Sequence, residues 1–443
     1  MALELQDVRL LRNPRFRRLL EARVLGQVAQ NAMVYALLIL VVEKSGSSVD
    51  STLLVMAYTI PTVILGIPAG TVADLLPRRL TMATCQLLRV AVALALVYYH
   101  GDLFYILLLA ATASSIGQLF SPAESAVVPA VVRRDQLPAA GSLMVFTQVL
   151  AQTAGMVVLA PILIKLIDPR AVFVACAGLF MGATYVIGWM ATDLTPGRDA
   201  QGPSLGFIEA TREGFRILRT NRHAYLAVVY MTIAASLSKV IVILLPKYTK
   251  DVLHISTADA VFVAAPAAIG AAIGLLVTPP LVRWLGAWRV VAAGFVIFLA
   301  GLTGLGFVFY VRDFIEANLN LGIAFVEKEV GVSSVITVTM LLAVPLGFAF
   351  TLVSVASRVV MNEQAPPEAQ GRVYAVQMSL GDLLSLPPLL IVGVAADLVG
   401  VRATLLASAI SAMLAGVYLT FSRRLGPPAG PPAAVPEPAP QAG

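Results

Sequence analysis

Charged residues are scarce in this chain of 443 residues, since Asp, Glu, Lys and Arg together make up only 13% of it. Soluble domains carry about 25% charged residues, so this composition excludes an ordinary soluble globule. The only cysteines, Cys85 and Cys176, both fall in apolar stretches, which argues against a disulfide framework. The sequence contains no recognisable nucleotide-binding loop, metal-ligand cluster or nucleophile–base pair. We therefore expect neither an enzyme nor a bound cofactor or metal.

Apolar residues make up 58% of the chain and fall into long continuous runs. A bilayer core of about 30 Å requires about 20 apolar residues of each spanning helix, whereas barrel strands are shorter and alternate. We therefore predict an all-α membrane protein. Hydropathy indicates twelve transmembrane helices, over residues 19–43, 50–75, 79–100, 103–132, 136–167, 170–192, 222–249, 257–284, 287–311, 334–362, 368–398 and 402–422.

Basic residues are concentrated on one side of these spans. The connections on the side of the N-terminus carry many arginines, including Arg15, Arg79, Arg133 and Arg289, whereas the opposite connections carry few. By the positive-inside rule both termini are cytoplasmic. We therefore predict a multi-pass protein of the cell inner membrane. The net charge of +6 reflects this topology, and no nucleic-acid partner is expected.

Composition also suggests how the chain is divided. The Pro- and Gly-rich tail cannot bury enough apolar surface to pack, and we expect it to be disordered. The predicted units are a basic amphipathic N-terminus (1–18), a six-helix bundle (19–192), a cytoplasmic linker with an amphipathic helix (193–221), a second six-helix bundle (222–424) and the tail (425–443). The second bundle contains a polar extracellular insertion near 312–333. We expect a monomer.

The two bundles show a weak internal repeat. The stretch "AVVPAVVRRDQLPAAGSL" at 126–143 aligns with "RVVMNEQAPPEAQGRVYA" at 358–375, an offset of 232 residues. The hairpin near residue 75 aligns with "TPPLVRWLGAWR" at 278–289, an offset of about 209. The insertion near 312–333 accounts for the difference. Repeated halves with prolines at corresponding places, such as Pro61 and Pro266, are typical of secondary transporters.

The motif "GTVADLLPRR" at 70–79 lies between the second and third spans. It resembles the G-x-x-x-D-x-x-G-R-R signature of the major facilitator superfamily, with Pro77 where the family has glycine. The stretches "NPRFRRLLEARVLGQVAQNA" and "FSPAESAVVPAVVRRDQLPAAGSL" resemble the drug:proton antiporter branch with macrolide and siderophore exporters. The resemblance implies two pseudo-symmetric six-helix bundles, the major facilitator fold. It also implies a cytoplasmic gate of Gly70, Asp74, Arg78 and Arg79, whose carboxylate faces the start of the eleventh helix.

The motif at 70–79 has an alternative explanation, and a similar stretch occurs elsewhere in the chain. A solvated loop would explain the two arginines as topology markers, but it leaves the glycine and aspartate at the helix end unexplained. The aligned second-half hairpin lacks the acidic residue. The stretch "GVAADLVGVR" at 393–402 echoes the motif at the other end of the eleventh helix, and coincidence is the competing reading.

Ionisable residues at membrane depth are costly, which makes them candidates for function. Asp382 on the eleventh helix lies near the midplane, and Lys239 on the seventh lies within reach of it. We predict that Asp382 couples transport to protons or cations and that Lys239 tunes it. A static ion pair between the two helices is the alternative. Glu124 on the fourth helix is either a second proton carrier or the partner of an arginine near the gate.

Amide side chains form a second group of candidates. The resemblance implies a cavity lined by helices 1, 2, 4, 5, 7, 8, 10 and 11. We predict that it includes Gln27, Gln30, Asn31, Gln148, Gln152 and Gln377. Amides in a cavity suit neutral or amphiphilic substrates, whereas the competing role is interhelical hydrogen bonding. Many proton-coupled relatives carry an acidic residue near Gln30, which this chain lacks.

These observations predict a secondary active transporter that exports an amphiphilic small molecule, drug-like or siderophore-like, by alternating access and proton antiport. The expected partners are a small-molecule or lipid substrate, protons and membrane lipids. A lysophospholipid or other lipid facilitator is one alternative. A non-transporting membrane sensor or scaffold, with the insertion as its binding element, is another.

Overall fold

The computed structural model describes residues 10, 12–133, 136–190, 222–318, 332–364 and 370–422, without the side chains of 66–75, 362–364, 370–380 and a few single residues. The predicted linker helix within 193–221 and the disordered tail at 425–443 lie outside the described residues.

Twelve helices in the described ranges are long and apolar enough to cross a membrane. They are α1 (Pro14–Ser45), α2 (Ser48–Leu75), α3 (Arg78–Tyr99), α4 (Leu103–Val131), α5 (Leu137–Thr153, a π-helical turn Ala154–Leu159, and Ala160–Leu166), α6 (Pro169–Gly188), α7 (Arg222–Asp251), α8 (Ala260–Ala264 and Pro266–Leu285), α9 (Ala287–Gly306), α10 (Ser334–Gln364), α11 (Gln370–Val399) and α12 (Val401–Ser422). The predicted all-α fold class and its twelve spans are confirmed. The short helix Val308–Asn318 takes in the first part of the predicted insertion, and 319–331 lie outside the described residues.

Local capping signals define the first helix boundaries. Asn13 accepts hydrogen bonds from the backbone N–H groups of Arg15 and Phe16, and Pro14 occupies the first turn, so α1 begins there. Gly46 adopts a φ of 64°, the left-handed conformation that favours glycine at a helix end. Ser47 then caps α2 by accepting from the Val49 N–H at 3.1 Å. We call the side where α1 begins and α12 ends the terminal face, and the other side the opposite face.

The prolines act differently in different helices. α2 runs unbroken through Pro61, whereas α8 is interrupted at Ala265, just before Pro266. In α5 a π-helical turn directly precedes Ala160 and Pro161. Proline removes a backbone donor and crowds the carbonyl four residues earlier, and a π turn relieves that crowding. Of these two prolines at corresponding places, only Pro266 therefore lies at an interruption of its helix.

Buried apolar side chains separate into clusters that follow the chain order. One cluster is formed by α1–α6 together with Val261, and the other two by α7–α12 with the short helix after α9. We call α1–α6 the first half and α7–α12 the second half. Several of the polar side chains described below form contacts between these two halves.

Within the second half, α8 and α10 approach each other closely. A Cβ atom on Gly270 would lie 1.9 Å from the carbonyl oxygen of Val344, and one on Gly347 would lie 1.9 Å from that of Ala267. Small residues let helix backbones meet inside a membrane, where association depends on packing. These two glycines therefore set the distance between α8 and α10.

Replacing Gly270 with Val is expected to destabilise the protein by about 3 kcal/mol or more, because the added atoms meet backbone that cannot move aside. A lowered melting temperature in detergent would show this. Gly178→Val is the matched control, since no atom lies within 4 Å of a Cβ placed there. Equal melting temperatures for the two variants would contradict the expectation.

Candidate functional site

A carboxylate on α11 binds both halves of the protein at once. Asp382 Oδ1 accepts a hydrogen bond from Lys239 Nζ on α7 at 2.7 Å, and Asp382 Oδ2 accepts one from Thr62 Oγ1 on α2 at 2.9 Å. Lys239 also donates to Ser385 Oγ, one turn further along α11, at 3.1 Å. We call these four residues the central carboxylate cluster. The predicted approach of Lys239 and Asp382 is observed, and Thr62 joins them from the first half.

The charged side chains of the central carboxylate cluster are only partly buried. The side chains of Lys239 and Asp382 are 27% and 33% exposed. Charges in a membrane protein are placed at a water-filled cavity or paired, because either arrangement limits the desolvation cost. Here the carboxylate is paired with Lys239 and remains partly exposed. This arrangement permits proton exchange and equally serves as an ion pair between α7 and α11.

A second polar cluster lies within the first half. Arg23 on α1 forms an ion pair with Glu124 on α4 and donates to Gln148 Oε1 on α5 at 3.1 Å. Gln148 Nε2 in turn donates to Gln27 Oε1 at 3.2 Å, and Asn31 Nδ2 donates to the Gln27 carbonyl at 2.7 Å. We call these five residues the first-half polar cluster. It brings together four of the predicted site residues.

The first-half polar cluster leaves some hydrogen-bonding capacity unused. Glu124 Oε1 and Arg23 Nε are buried without a hydrogen-bond partner among the described residues, and so is Oε1 of the adjacent Gln30. Buried polar groups are normally satisfied, by protein or by water. These three atoms are therefore available to a water molecule or to a polar group of a ligand.

Glu124 was predicted to carry protons or to pair with an arginine near the gate, and its described partner is Arg23. The sequence reasoning missed Arg23. Its signal was available, because Arg23 is a cation inside the predicted first span, where a buried charge requires a partner. Gln152, one turn beyond Gln148, is exposed and makes no described hydrogen bond, and the Gln377 side chain lies outside the described residues.

Removing one partner of the Arg23–Glu124 pair is expected to be costly. Their side chains are only 15% and 5% exposed, and a buried charge left alone costs about 3–5 kcal/mol. We expect Glu124→Leu to lower the melting temperature in detergent and the double variant Arg23→Met/Glu124→Leu to recover most of the loss. If the double variant is as unstable as the single one, Glu124 does not stabilise the protein through its ion pair with Arg23.

The motif at 70–79 spans the end of α2 and the start of α3, and its two arginines contact other helices of the first half. Arg78 donates to the Ala126 carbonyl on α4 at 2.8 Å, and Arg79 donates to the Gly188 carbonyl at the end of α6. A cation at a helix C-terminus is favoured by the helix dipole. Gly70 lies within α2, but the Asp74 side chain lies outside the described residues. The gating role of the motif thus stays a prediction.

On the opposite face, the end of α11 binds the start of α2. Asp397 accepts hydrogen bonds from Ser47 Oγ at 2.7 Å and from the backbone N–H groups of Ser48 at 2.9 Å and Val49 at 3.3 Å. It also pairs with Lys247 of α7. A carboxylate at a helix N-terminus is favoured by the dipole and by the free N–H groups.

The packing around Asp397 is tight because of a glycine one turn earlier. A Cβ on Gly393 would lie 2.4 Å from Thr52 Oγ1 and 3.1 Å from the Ser48 carbonyl oxygen. Gly393 and Asp397 belong to the sequence echo at 393–402. The echo therefore performs here, between α11 and α2, the contact that the resemblance implies for the motif at the terminal face.

Further contacts lie on the same face. Lys165 at the end of α5 forms an ion pair with Asp259 at the start of α8. Thr257 donates to Glu43 Oε1 at 2.9 Å, and the Val261 N–H donates to the Tyr35 hydroxyl at 3.2 Å. All of these contacts join the two halves. We call them, together with the Asp397 contacts, the opposite-face gate.

The opposite-face gate follows the internal repeat. Lys165 and Asp397 are 232 residues apart, the same offset that relates 126–143 to 358–375. Ser48 and Thr257, at the starts of α2 and α8, are 209 apart, the offset of the hairpins. The gate thus includes two contacts at equivalent positions. In one, a carboxylate binds a helix N-terminus, and in the other a lysine pairs with an aspartate.

Comparisons with known proteins support this architecture. The sequence profile described as Major Facilitator Superfamily matches residues 24–387. A search of curated protein sequences finds no match. Among solved structures, a mutant of the nucleoside transporter NupG superimposes with a TM-score of 0.73 at 11% identity, covering 92% of this chain and 99% of that one.

Two further structures are similar. One is a bacterial homologue of the human lysosomal transporter Spinster in an inward-facing conformation, with a TM-score of 0.67, 12% identity, and 92% of this chain and 96% of that chain covered. The other is a bacterial homologue of the iron transporter ferroportin in an inward-facing state, with a TM-score of 0.62, 15% identity, and coverage of 93% and 99%. At these identities the likeness shows the fold alone.

Proposed function

Because the chain belongs to the Major Facilitator Superfamily, we propose that it is a secondary transporter that exports an amphiphilic, drug-like or siderophore-like molecule by proton antiport. The family and the similar transporters favour transport over enzymatic activity. The observation that carries the proposal is the central carboxylate cluster, in which one carboxylate holds groups from both halves. A change in the charge of Asp382 would alter its contacts with both Lys239 and Thr62.

Alternating access is supported by the opposite-face gate. Its hydrogen bonds and ion pairs hold the starts of α2 and α8 against the ends of α11 and α5. A substrate bound between the halves would then enter from the terminal face, which the distribution of basic residues predicts to be cytoplasmic. Opening of the opposite-face gate would release the substrate on the other side of the membrane, which corresponds to export.

Proton coupling is supported by the chemistry of Asp382. An ionised Asp382 attracts Lys239 and accepts a hydrogen bond from the Thr62 hydroxyl, and these contacts join α2, α7 and α11. A proton arriving at Asp382 would cancel its charge and release Lys239. The halves would then be held together less strongly at this depth, which favours their rearrangement. In antiport, a proton would enter from outside as the substrate leaves.

The proposed substrate class rests on the predicted cavity residues. The side-chain amides of Gln27 and Gln148 hydrogen-bond to each other, and the Asn31 amide donates to the Gln27 backbone carbonyl. The unpartnered Oε1 atoms of Gln30 and Glu124 are acceptors. A ligand with a few donor groups and a large apolar surface would complement such a site. This favours an amphiphilic molecule over a strongly anionic one.

The proposal is tested by transport into proteoliposomes. A thermal-shift screen over drugs, siderophores and lysolipids first identifies a compound that raises the melting temperature. We expect a pH gradient across the vesicle membrane to drive accumulation of that compound and a protonophore to abolish it. Equal transport with and without the gradient would overturn antiport.

A lipid facilitator is the second candidate function. Two observations favour it. Gln30 stands on α1 where many proton-coupled relatives have an acid, and Glu124 forms an ion pair with Arg23. In that case lysolipids would raise the melting temperature and would equilibrate across the vesicle membrane without a gradient. Asp382→Asn would then leave the transport rate unchanged.

A further inference from the structure

A cavity of about 860 Å³ lies inside the second half, between α7, α11 and α12. Ligand pockets typically measure about 300–1,000 Å³, so this volume accommodates a sizeable molecule. The cavity is separate from the central carboxylate cluster. It is lined by Leu384, Pro388 and Ile391 of α11, whereas Asp382 projects from another side of that helix towards Lys239 and Thr62.

The walls of the cavity are predominantly apolar. Most lining residues are aliphatic, and several of the hydroxyls among them are satisfied within their own helices. Ser236 donates to the Thr232 carbonyl at 2.9 Å, and Ser408 donates to the Thr404 carbonyl at 2.8 Å. Ser411 donates to the Ala407 carbonyl at 2.7 Å. Such walls bind by dispersion and offer little recognition of charge.

The internal repeat explains why α12 leaves space at these positions. At the offset of 232 residues, Thr404, Ser408 and Ala412 of α12 correspond to Val172, Cys176 and Phe180 of α6. In the first half these positions are buried in the core, and the Phe180 ring is fully buried. In the second half the equivalent of Phe180 is an alanine that lines the cavity. The missing ring leaves α12 without the packing that α6 has.

The surroundings of the cavity identify its occupant. Its rim includes Leu384 and Ile391, which are 57% and 68% exposed, and beside it Leu414 and Val417 of α12 are also exposed. All lie in membrane-spanning segments, so the rim borders the lipid. An empty space of this size would deprive its walls of contacts, and hydrocarbon chains are the apolar matter at hand. We propose that the cavity binds one acyl chain of a membrane phospholipid.

The bound chain would act on α11. Pro387 and Pro388 line the cavity, and each removes a backbone hydrogen bond from the middle of the helix. These prolines lie between Asp382 and Asp397, the residues that join α11 to the first half at two depths. An acyl chain packed on the prolines supports the weakest part of this helix. The site is thus a lipid site that supports α11, and it does not depend on what the protein transports.

The test is photo-crosslinking in vesicles that contain phosphatidylcholine with a diazirine on one acyl chain. We expect saturable labelling of the cavity-lining parts of α7 and α12. Ala412→Phe should lower that labelling by at least about tenfold, because the new ring occupies the cavity. Val417→Phe adds the same ring to the exposed side of α12 and should leave the labelling unchanged.

Melting temperatures show whether the variants are folded, and Ala415→Leu is a smaller filling substitution if Ala412→Phe is not. Equal labelling in the filled variant and the control would overturn the proposal. So would labelling restricted to outward residues such as Leu414, or labelling that rises in proportion to the probe without saturating.

Discussion

Replacing Asp382 with Asn is expected to abolish proton-driven accumulation in proteoliposomes while substrate exchange persists. An amide can still accept a hydrogen bond from Thr62, but it cannot take up and release a proton. Uphill transport requires that cycle, whereas exchange of labelled for unlabelled substrate requires only that the substrate-loaded protein reorients. We expect uphill transport to fall to the level of protein-free liposomes.

The control for this experiment removes a carboxylate elsewhere. Asp313 lies on the short helix after α9, is 60% exposed and pairs with its neighbour Arg312. Exposed pairs of this kind contribute little, so Asp313→Asn should leave transport and melting temperature unchanged. If Asp382→Asn retains gradient-driven accumulation, Asp382 is not the coupling group. The Lys239–Asp382 contact is then a static ion pair.

Replacing Asp397 with Ala is expected to open the opposite-face gate. Asp397 accepts three hydrogen bonds from the start of α2 in addition to its pairing with Lys247. Hydrogen bonds to charged groups contribute about 1.5–3 kcal/mol each, and a loss of about 3 kcal/mol shifts an equilibrium by roughly 100-fold. The state with the opposite face open should therefore become much more populated.

Cysteine accessibility measures this shift. The native Cys85 and Cys176 are buried, and Val261 in the gate is 2% exposed, so a Val261→Cys variant carries a concealed reporter. We expect a membrane-impermeant maleimide added from the opposite face to label it slowly, and much faster once Asp397→Ala is introduced.

Asp102 provides a matched control for the gate. It also caps a helix on the opposite face, accepting from the Phe104 N–H at 2.8 Å, but that helix is α4 of the same half. Asp102→Ala removes a helix cap without removing a contact between the halves. If it accelerates labelling as much as Asp397→Ala does, the effect reflects loosened helix ends and the gate assignment fails.

The two predictions concern different depths of α11. Asp382 binds α2 near the middle of the membrane, and Asp397 binds the start of α2 at the opposite face. Both contacts use a carboxylate on the second half and hydroxyl or amide donors on the first. Loss of the first contact is expected to uncouple transport from protons, and loss of the second to change which face is open.

The helix pattern was predictable because it depends on short-range properties of the chain. Continuous apolar runs, Asn13 before Pro14, and Gly46 followed by Ser47 are signals whose effects extend over a few residues. The predicted span 50–75 and the helix Ser48–Leu75 differ by two residues at one end and by none at the other. The approach of Lys239 to Asp382 was also expected from counting residues along helices, because a helix rises by a constant amount per residue.

The partners of polar groups were less accessible to sequence reasoning. Glu124 pairs with Arg23, which is 101 residues earlier, and such a choice depends on how α1 and α4 face each other. The same limit applies to Arg78 and Arg79, whose acceptors are backbone carbonyls of α4 and α6. A backbone carbonyl has no signature in the sequence, so nothing in the motif indicates this contact.

The sequence alone determined that this is a twelve-helix membrane protein with two related halves, because hydropathy, helix caps and repeat offsets depend only on the order of residues along the chain. Only the tertiary structure decided that Thr62 shares Asp382 with Lys239, that the 393–402 echo closes the opposite face, and that Ala412 leaves a cavity where Phe180 fills its own half. Each of these depends on which side chains from distant helices occupy the same few ångströms. That proximity arises from packing, and no local pattern encodes it.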